Sequence, residues 1–229
     1  MSFNLIMPSR KTYAVFHKGL GRLEVAEVGR LLHNTRTAVL LGLPGFKRDE
    51  LFLRFLGSSL SEGRSLVLHS RPLVKAEILY DLVAQRDDLL SRAVFRYVPT
   101  LEDQERALKR LSIDLSRMGI RVVLFDTPSD NYLVSLALSV GSQYRLKKVN
   151  TSIIRHFAYL KATAVEMDAH VLVTMGGQSG INTVEEYLLR YWPDLVIRFH
   201  TDSEYEAEFE ANENMKLPGL SANIVTLGG

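Results

Sequence analysis

Short apolar runs alternating with helical repeats constrain this chain more than any other feature of its sequence. Thr37–Leu41 (TAVLL), Ser65–His69 (SLVLH), Val94–Val98 (VFRYV), Arg121–Phe125 (RVVLF) and Val171–Thr174 (VLVT) each read as a short strand. Between them, apolar residues recur at helical spacing. Asp49–Ser61 puts Phe52, Phe55, Leu56 and Leu60 on one face, and Lys75–Leu90 does the same with Ile78, Leu79, Leu82 and Val83. Leu101–Met118 carries Leu108, Leu111, Leu115 and Met118 on one stripe, with Gly119 as its stop. A loop of mixed character is expected from Asp126 to Asn150. Asn150 or Thr151 then caps a long helix, Ser152–Met167, with Ile153, Phe157, Leu160 and Ala164 inward. The turn MGGQSG precedes a further helix with Val184, Tyr187 and Leu188. Such units predict an α/β fold, a mainly parallel sheet with helices on both faces.

Towards the C-terminal end the period changes. Leu195–Phe199 and Glu204–Glu210 alternate in strand fashion, with Tyr205, Ala207 and Phe209 set against Glu204, Glu206, Glu208 and Glu210. These strands, with Ala222–Leu227 as a pairing candidate, predict an antiparallel extension of the sheet. No repeat or linker divides the chain, so one domain is expected: a lead-in over 1–35, a core over 36–200 and a β extension over 201–229.

Composition narrows the chemistry. The 229 residues contain no cysteine, which removes disulfides, thiolate metal sites and cysteine nucleophiles. A net charge of +2 is only a faint pull towards anionic partners. No apolar run is long enough to span a bilayer, and the start MSFNLIMPSRKTYAVF lacks the layout of a signal peptide, so a cytoplasmic protein without membrane association is expected. The six histidines show no metal-type spacing; His69 and His170 abut strands and read as core or edge histidines.

The first strand leads into LLGLPGFKRDEL, laid out like a phosphate-binding loop. Such a loop needs glycines that let backbone N–H groups approach phosphates, a lysine for the β- and γ-phosphates, and a hydroxyl for Mg²⁺. Gly42 and Gly45 suit the turn, but Lys47 stands at the last glycine, Arg48 at the lysine and Asp49 at the hydroxyl. A carboxylate there repels phosphate, though it makes a helix N-cap. Lys47 and Arg48 are either solvated charges or holders of an anion without metal. Asp126, at the end of RVVLFD, matches the acidic position that completes such a site. Trp192 and Tyr191 read as a core edge or, if exposed, a partner surface.

Together RTAVLLGLPG, SLVLHS, RVVLFDT, SIIRHFAYLKATAVEMDAHVLVT and DLVIRFH resemble the RecA-like core of RecA, archaeal RadA and its paralogs, and the KaiC-type ATPases, from about Lys18 to about Phe199. The segment KGLGRLEVAEVGRLL is similar to the lead-in of those proteins. The resemblance implies ATP and Mg²⁺ at the loop, a water-activating glutamate after the second strand and a Thr-Asn-Gln sensor after the fourth. This chain has Ser70–Arg71 and Thr174–Met175–Gly176 at those places. With loop lysine, Mg²⁺ hydroxyl, base and sensor all changed, a pseudo-ATPase without ATP or Mg²⁺ as cofactor is expected. The resemblance also implies a DNA-contacting loop at YRLKKVNTSIIR, where Arg145, Lys147, Lys148 and Arg155 with Tyr144 can follow a single strand or form a solvated charge run. The reading that results is a RadA-paralog-type accessory protein of homologous recombination. It would work in a homo- or hetero-oligomer, through a RecA/RadA-family or other repair subunit and weak single-stranded DNA binding. An atypical ATPase and a scaffold outside repair are the alternatives.

Overall fold

The computed structural model describes residues 10–16, 35–42, 46–70, 87–176, 183–199, 206–212 and 225–226. Its strands are β1 (Arg10–Phe16), β2 (Thr37–Leu41), β3 (Arg64–His69), β4 (Ala93–Tyr97), β5 (Ile120–Asp126), β6 (His170–Met175), β7 (Leu195–Phe199), β8 (Glu206–Asn212) and β9 (Val225–Thr226). Its helices are α1 (Phe46–Glu62), α2 (Asp87–Leu90), α3 (Leu101–Lys109), α4 (Leu111–Met118), α5 (Pro128–Ala137), α6 (Gln143–Glu166) and α7 (Thr183–Tyr191). All the described strands join one sheet in the order β4-β3-β5-β6-β2-β7-β8-β1-β9. The six from β4 to β7 run parallel. The α/β architecture read from the sequence is therefore the architecture of the protein.

Crossover handedness explains the layers. The chain passes from β2 through α1 to β3 in one direction along the sheet, and from β4 to β5, β6 and β7 in the other. Right-handed crossovers then put α1 and α3–α7 on opposite faces. Consistent with this, α6 packs against α3, α4, α5 and α7, whereas α1 packs against α2. Side chains alternate accordingly: Val39, Leu41, Leu66, Leu68, Val123, Phe125, Val171 and Val173 join the core under α3–α7. Their neighbours Leu40, Val67, Leu124 and Leu172 are equally buried, alongside Phe52, Phe55, Leu56 and Leu60 of α1. Both faces being covered, β2 is buried along its whole length, apolar from Ala38 to Leu41 with the polar Thr37 at its start.

A polar staple closes the far end of the sheet, away from the loops that follow the strands. Lys161 Nζ donates to Asp194 Oδ1 at 2.6 Å, to Thr37 Oγ1 at 3.0 Å and to the Trp192 carbonyl at 3.0 Å. Asp194 Oδ2 accepts from the Thr37 N–H and hydroxyl, which fixes β7 against β2. Trp192 itself is buried, edge-on to Phe157, with its indole N–H donating to the Phe157 carbonyl at 2.6 Å. It is a core residue. The exposed aromatic pair on α7 is Tyr187 with Tyr191, whose rings lie 4.8 Å apart.

Several expectations are corrected. The helix read as Leu101–Met118 is two, broken at Arg110 (φ −102, ψ 0), and both halves keep the same buried stripe, so periodicity does not see the break. The expected stop holds: Gly119 is left-handed (φ 65) and its N–H bonds to the Leu115 carbonyl. The loop expected from Asp126 to Asn150 is mostly helical. Pro128 opens α5 at its first turn, and Ser142 caps α6 through the Arg145 N–H. Asn150 and Thr151 are not caps; Thr151 bonds back to the Lys147 carbonyl and Asn150 accepts from the Tyr132 hydroxyl. β1 was not foreseen, and it pairs antiparallel with β8, which also pairs antiparallel with β7; β9 pairs with β1. Most of the expected helix Lys75–Leu90 lies outside the described residues, of which only α2 is seen. Among the described residues, no helix is long and apolar enough to cross a membrane.

Candidate functional site

The helices that follow β2 and β6 lie on opposite faces of the sheet, so the C-terminal ends of these neighbouring strands mark its topological switch point. Ligands of open α/β sheets bind at such points. The rim there is built from strand tips. Asp126, buried at the end of β5, accepts a hydrogen bond on Oδ1 from the Thr174 hydroxyl at 2.6 Å. Thr174 Oγ1 in turn accepts from the Thr127 N–H at 2.9 Å. The N–H of Gly42 donates to the Met175 carbonyl at 3.1 Å, tying the loop strand to β6.

Thr127 is left-handed (φ 47, ψ 52), a costly state for a β-branched residue, about 1–3 kcal/mol. It turns the chain from β5 into α5 within a single residue. Beside it Gln104 is fully buried, its Nε2 donating to Ser70 Oγ at 2.9 Å and to the Pro128 carbonyl at 3.3 Å. Gln104 Oε1, Thr127 Oγ1 and Ser129 Oγ have no hydrogen-bond partner among the described residues. The residue at the expected place of the water-activating glutamate, Ser70, is thus a buried acceptor for Gln104.

Two features of this rim differ from the Mg-ATP site that the sequence resemblance implies. The Thr174 hydroxyl occupies one oxygen of the acid that would face a metal shell, and Ser70 supplies no carboxylate. Lys47, Arg48 and Asp49 lie in the first turn of α1, which begins at Phe46. Asp49 is therefore inside the helix and is not its N-cap, the correction to that expectation, although a carboxylate in a first turn still complements the helix dipole. Gly45 and Arg71 lie outside the described residues. Among the described residues, no cluster of three or more His, Asp or Glu is placed to hold a metal ion.

The four basic residues read as a DNA-contacting loop sit elsewhere and are brought together. Arg145, Lys147, Lys148 and Arg155 all project from α6 and line one groove of about 760 Å³ between α3 and α6, bordered by Ser139 of the α5–α6 turn. They lie on a helix, which corrects the loop assignment. Their states differ. Arg155 Nη1 is paired with Glu105 at 3.2 Å, and Glu105 also holds Lys109 at 2.8 Å. The hydrogen bond from Lys109, with Arg155 adding to it, keeps the Glu105 carboxyl below its usual range despite some burial. Arg145, Lys147 and Lys148 are exposed and, among the described residues, form no salt bridge. Leu101 and Val149 give the groove apolar lining. Beneath it, burial pushes the His156 imidazole down to about 4. His156 Nε2 lies 3.4 Å from Ser152 Oγ, while its Nδ1 has no partner.

Sequence reasoning missed Gln104, Thr127 and Ser129. The signal for the last two was present in DTPSD, where a proline two residues after the strand-end Asp126 marks a helix start. No protein-family model matches the sequence, and no curated protein matches it either.

Proposed function

We propose that the chain is a RecA-like accessory protein of homologous recombination and DNA repair, of the RadA-paralog kind, that has given up ATP turnover and acts by binding a protein partner. The observation that carries this reading is the contact between Thr174 and Asp126. In a working site the acid at this strand tip helps order a metal shell and the neighbouring strand tip reads the γ-phosphate. Here the Thr174 hydroxyl donates to Asp126 Oδ1 in a buried position, a contact that supports reading these strand tips as a structural joint. The parallel sheet, with the loop strand β2 and the acid strand β5 on either side of β6, supports the RecA-like part of the reading. The pathway rests on the resemblance in sequence.

A domain without chemistry of its own is useful through what its surface holds. The test is multi-angle light scattering of the purified chain alone and mixed with RecA/RadA-family subunits from the same source. A stable stoichiometric complex is expected. A chain that stays monomeric with every such subunit, across a range of salt, contradicts the reading.

A further inference from the structure

Of the described large apolar side chains that are exposed, a run falls on one short stretch: Leu133 at 39%, Val134 at 60%, Leu138 at 75%, Val140 at 82% and Tyr144 at 79%. They straddle the turn between α5 and α6. Leu138 and Val140 flank Ser139, which lines the 760 Å³ groove, and Tyr144 lines it directly. Concentrated apolar exposure with a polar rim marks an interaction surface. Next to it stand the cations Arg145, Lys147 and Lys148, within the first two turns of α6, whose first turn contains no acidic residue. Cations there add to the positive end of the helix dipole instead of opposing it. The local potential is therefore positive beside an apolar ridge.

We infer that this groove and ridge form the docking surface for an acidic amphipathic helix of a partner protein, an inference that rests on the partner-binding reading and names its surface. An amphipathic helix laid between α3 and α6 would put its apolar stripe against Leu101, Val149 and the α5–α6 turn, and its carboxylates opposite Arg145, Lys147 and Lys148. Single-stranded nucleic acid fits the same cations less well. Exposed Leu138 and Val140 give a nucleotide chain little to bind, whereas the apolar stripe of a helix covers them.

The test is fluorescence anisotropy with the full chain and two probes. One is a synthetic helical peptide with Leu at i, i+3, i+4 and i+7 and Glu on its flanks; the other is an oligothymidine strand. Saturable peptide binding is expected, at least about tenfold tighter than for a scrambled peptide of the same composition. Val140→Asp and the pair Lys147→Glu with Lys148→Glu should each weaken it by about tenfold or more. These positions are exposed, so an unchanged melting temperature shows that the variants fold. Absence of saturable peptide binding overturns the inference. So does oligothymidine binding that is tighter than peptide binding and indifferent to Val140→Asp. If light scattering still finds a complex with a RecA/RadA-family subunit and Val140→Asp leaves it intact, the surface is wrong while the partner-binding reading stands.

Discussion

Thr174 donates its hydroxyl to Asp126 Oδ1 and accepts the Thr127 N–H on the same oxygen, so one side chain joins two neighbouring strand tips. The joint also holds Thr127 in its left-handed state. A residue in this arrangement is placed for stability.

Thr174→Val keeps the volume and removes the hydroxyl. It removes the donor to Asp126 Oδ1 and the acceptor of the buried Thr127 N–H, which should cost about 1–3 kcal/mol. Urea unfolding should show a lower midpoint with an unchanged slope. A midpoint equal to that of the parent would mean that the contact contributes nothing to the fold.

Thr127→Gly relieves the left-handed backbone and deletes an unpartnered buried hydroxyl. Against this stands the greater freedom of glycine in the unfolded chain. Strain and the orphaned hydroxyl outweigh it, and a gain of up to about 1 kcal/mol is expected. Thermal unfolding reads the sign directly. Destabilisation would show that the threonine side chain makes a favourable contribution that its geometry does not reveal.

His156 makes stability depend on pH above the range of carboxylates. Its folded pKa, about 4, lies below the ordinary 6.5 because burial disfavours the imidazolium; Glu105 opposes this, while Arg155 and Lys109 add to it. Between 6.5 and about 4 the unfolded chain binds a proton that the folded chain does not, so stability falls as pH falls through that window. The slope approaches at most about 1.4 kcal/mol per pH unit. Glu105, with a depressed pKa, contributes stability that is present above the carboxylate's ordinary 4.5 and lost only as pH falls below it. Comparing the parent with His156→Gln from neutral pH down to about pH 5 therefore isolates the histidine. The variant should show a flatter profile, and parallel profiles would remove His156 as the cause.

The fold was legible because its strongest signals are local. Five buried residues in TAVLL, the stripe of Phe52, Phe55, Leu56 and Leu60, and the stop at Gly119 each follow from burial or backbone freedom at a few positions. The segment after β5 was misread because Asn150 and Thr151 look like caps in sequence. The actual starts, Pro128 and Ser142, lie earlier, and Thr151 spends its hydroxyl on an i−4 carbonyl. In the candidate site, Asp126 and Thr174 could be located from strand ends, but their bond depends on β6 lying beside β5, a matter of topology. Gln104 reaches the rim from a helix more than thirty positions from Ser70, at a separation of 34 residues, which no local pattern encodes. The groove was half legible. Its cations stood out as a run, whereas the neutralisation of Arg155 by Glu105 joins residues 50 apart.

The proposed absence of nucleotide chemistry is the claim on which the rest stands, and isothermal calorimetry with ATP and Mg²⁺ tests it most directly. The substitutions at Lys47, Arg48 and Asp49, together with the bond between Thr174 and Asp126, predict no saturable heat at nucleotide concentrations of about a millimolar, a free energy weaker than about −4 kcal/mol. Saturable binding at micromolar nucleotide, abolished by Arg48→Ala or Asp126→Ala, would contradict the account and return the protein to the working ATPases.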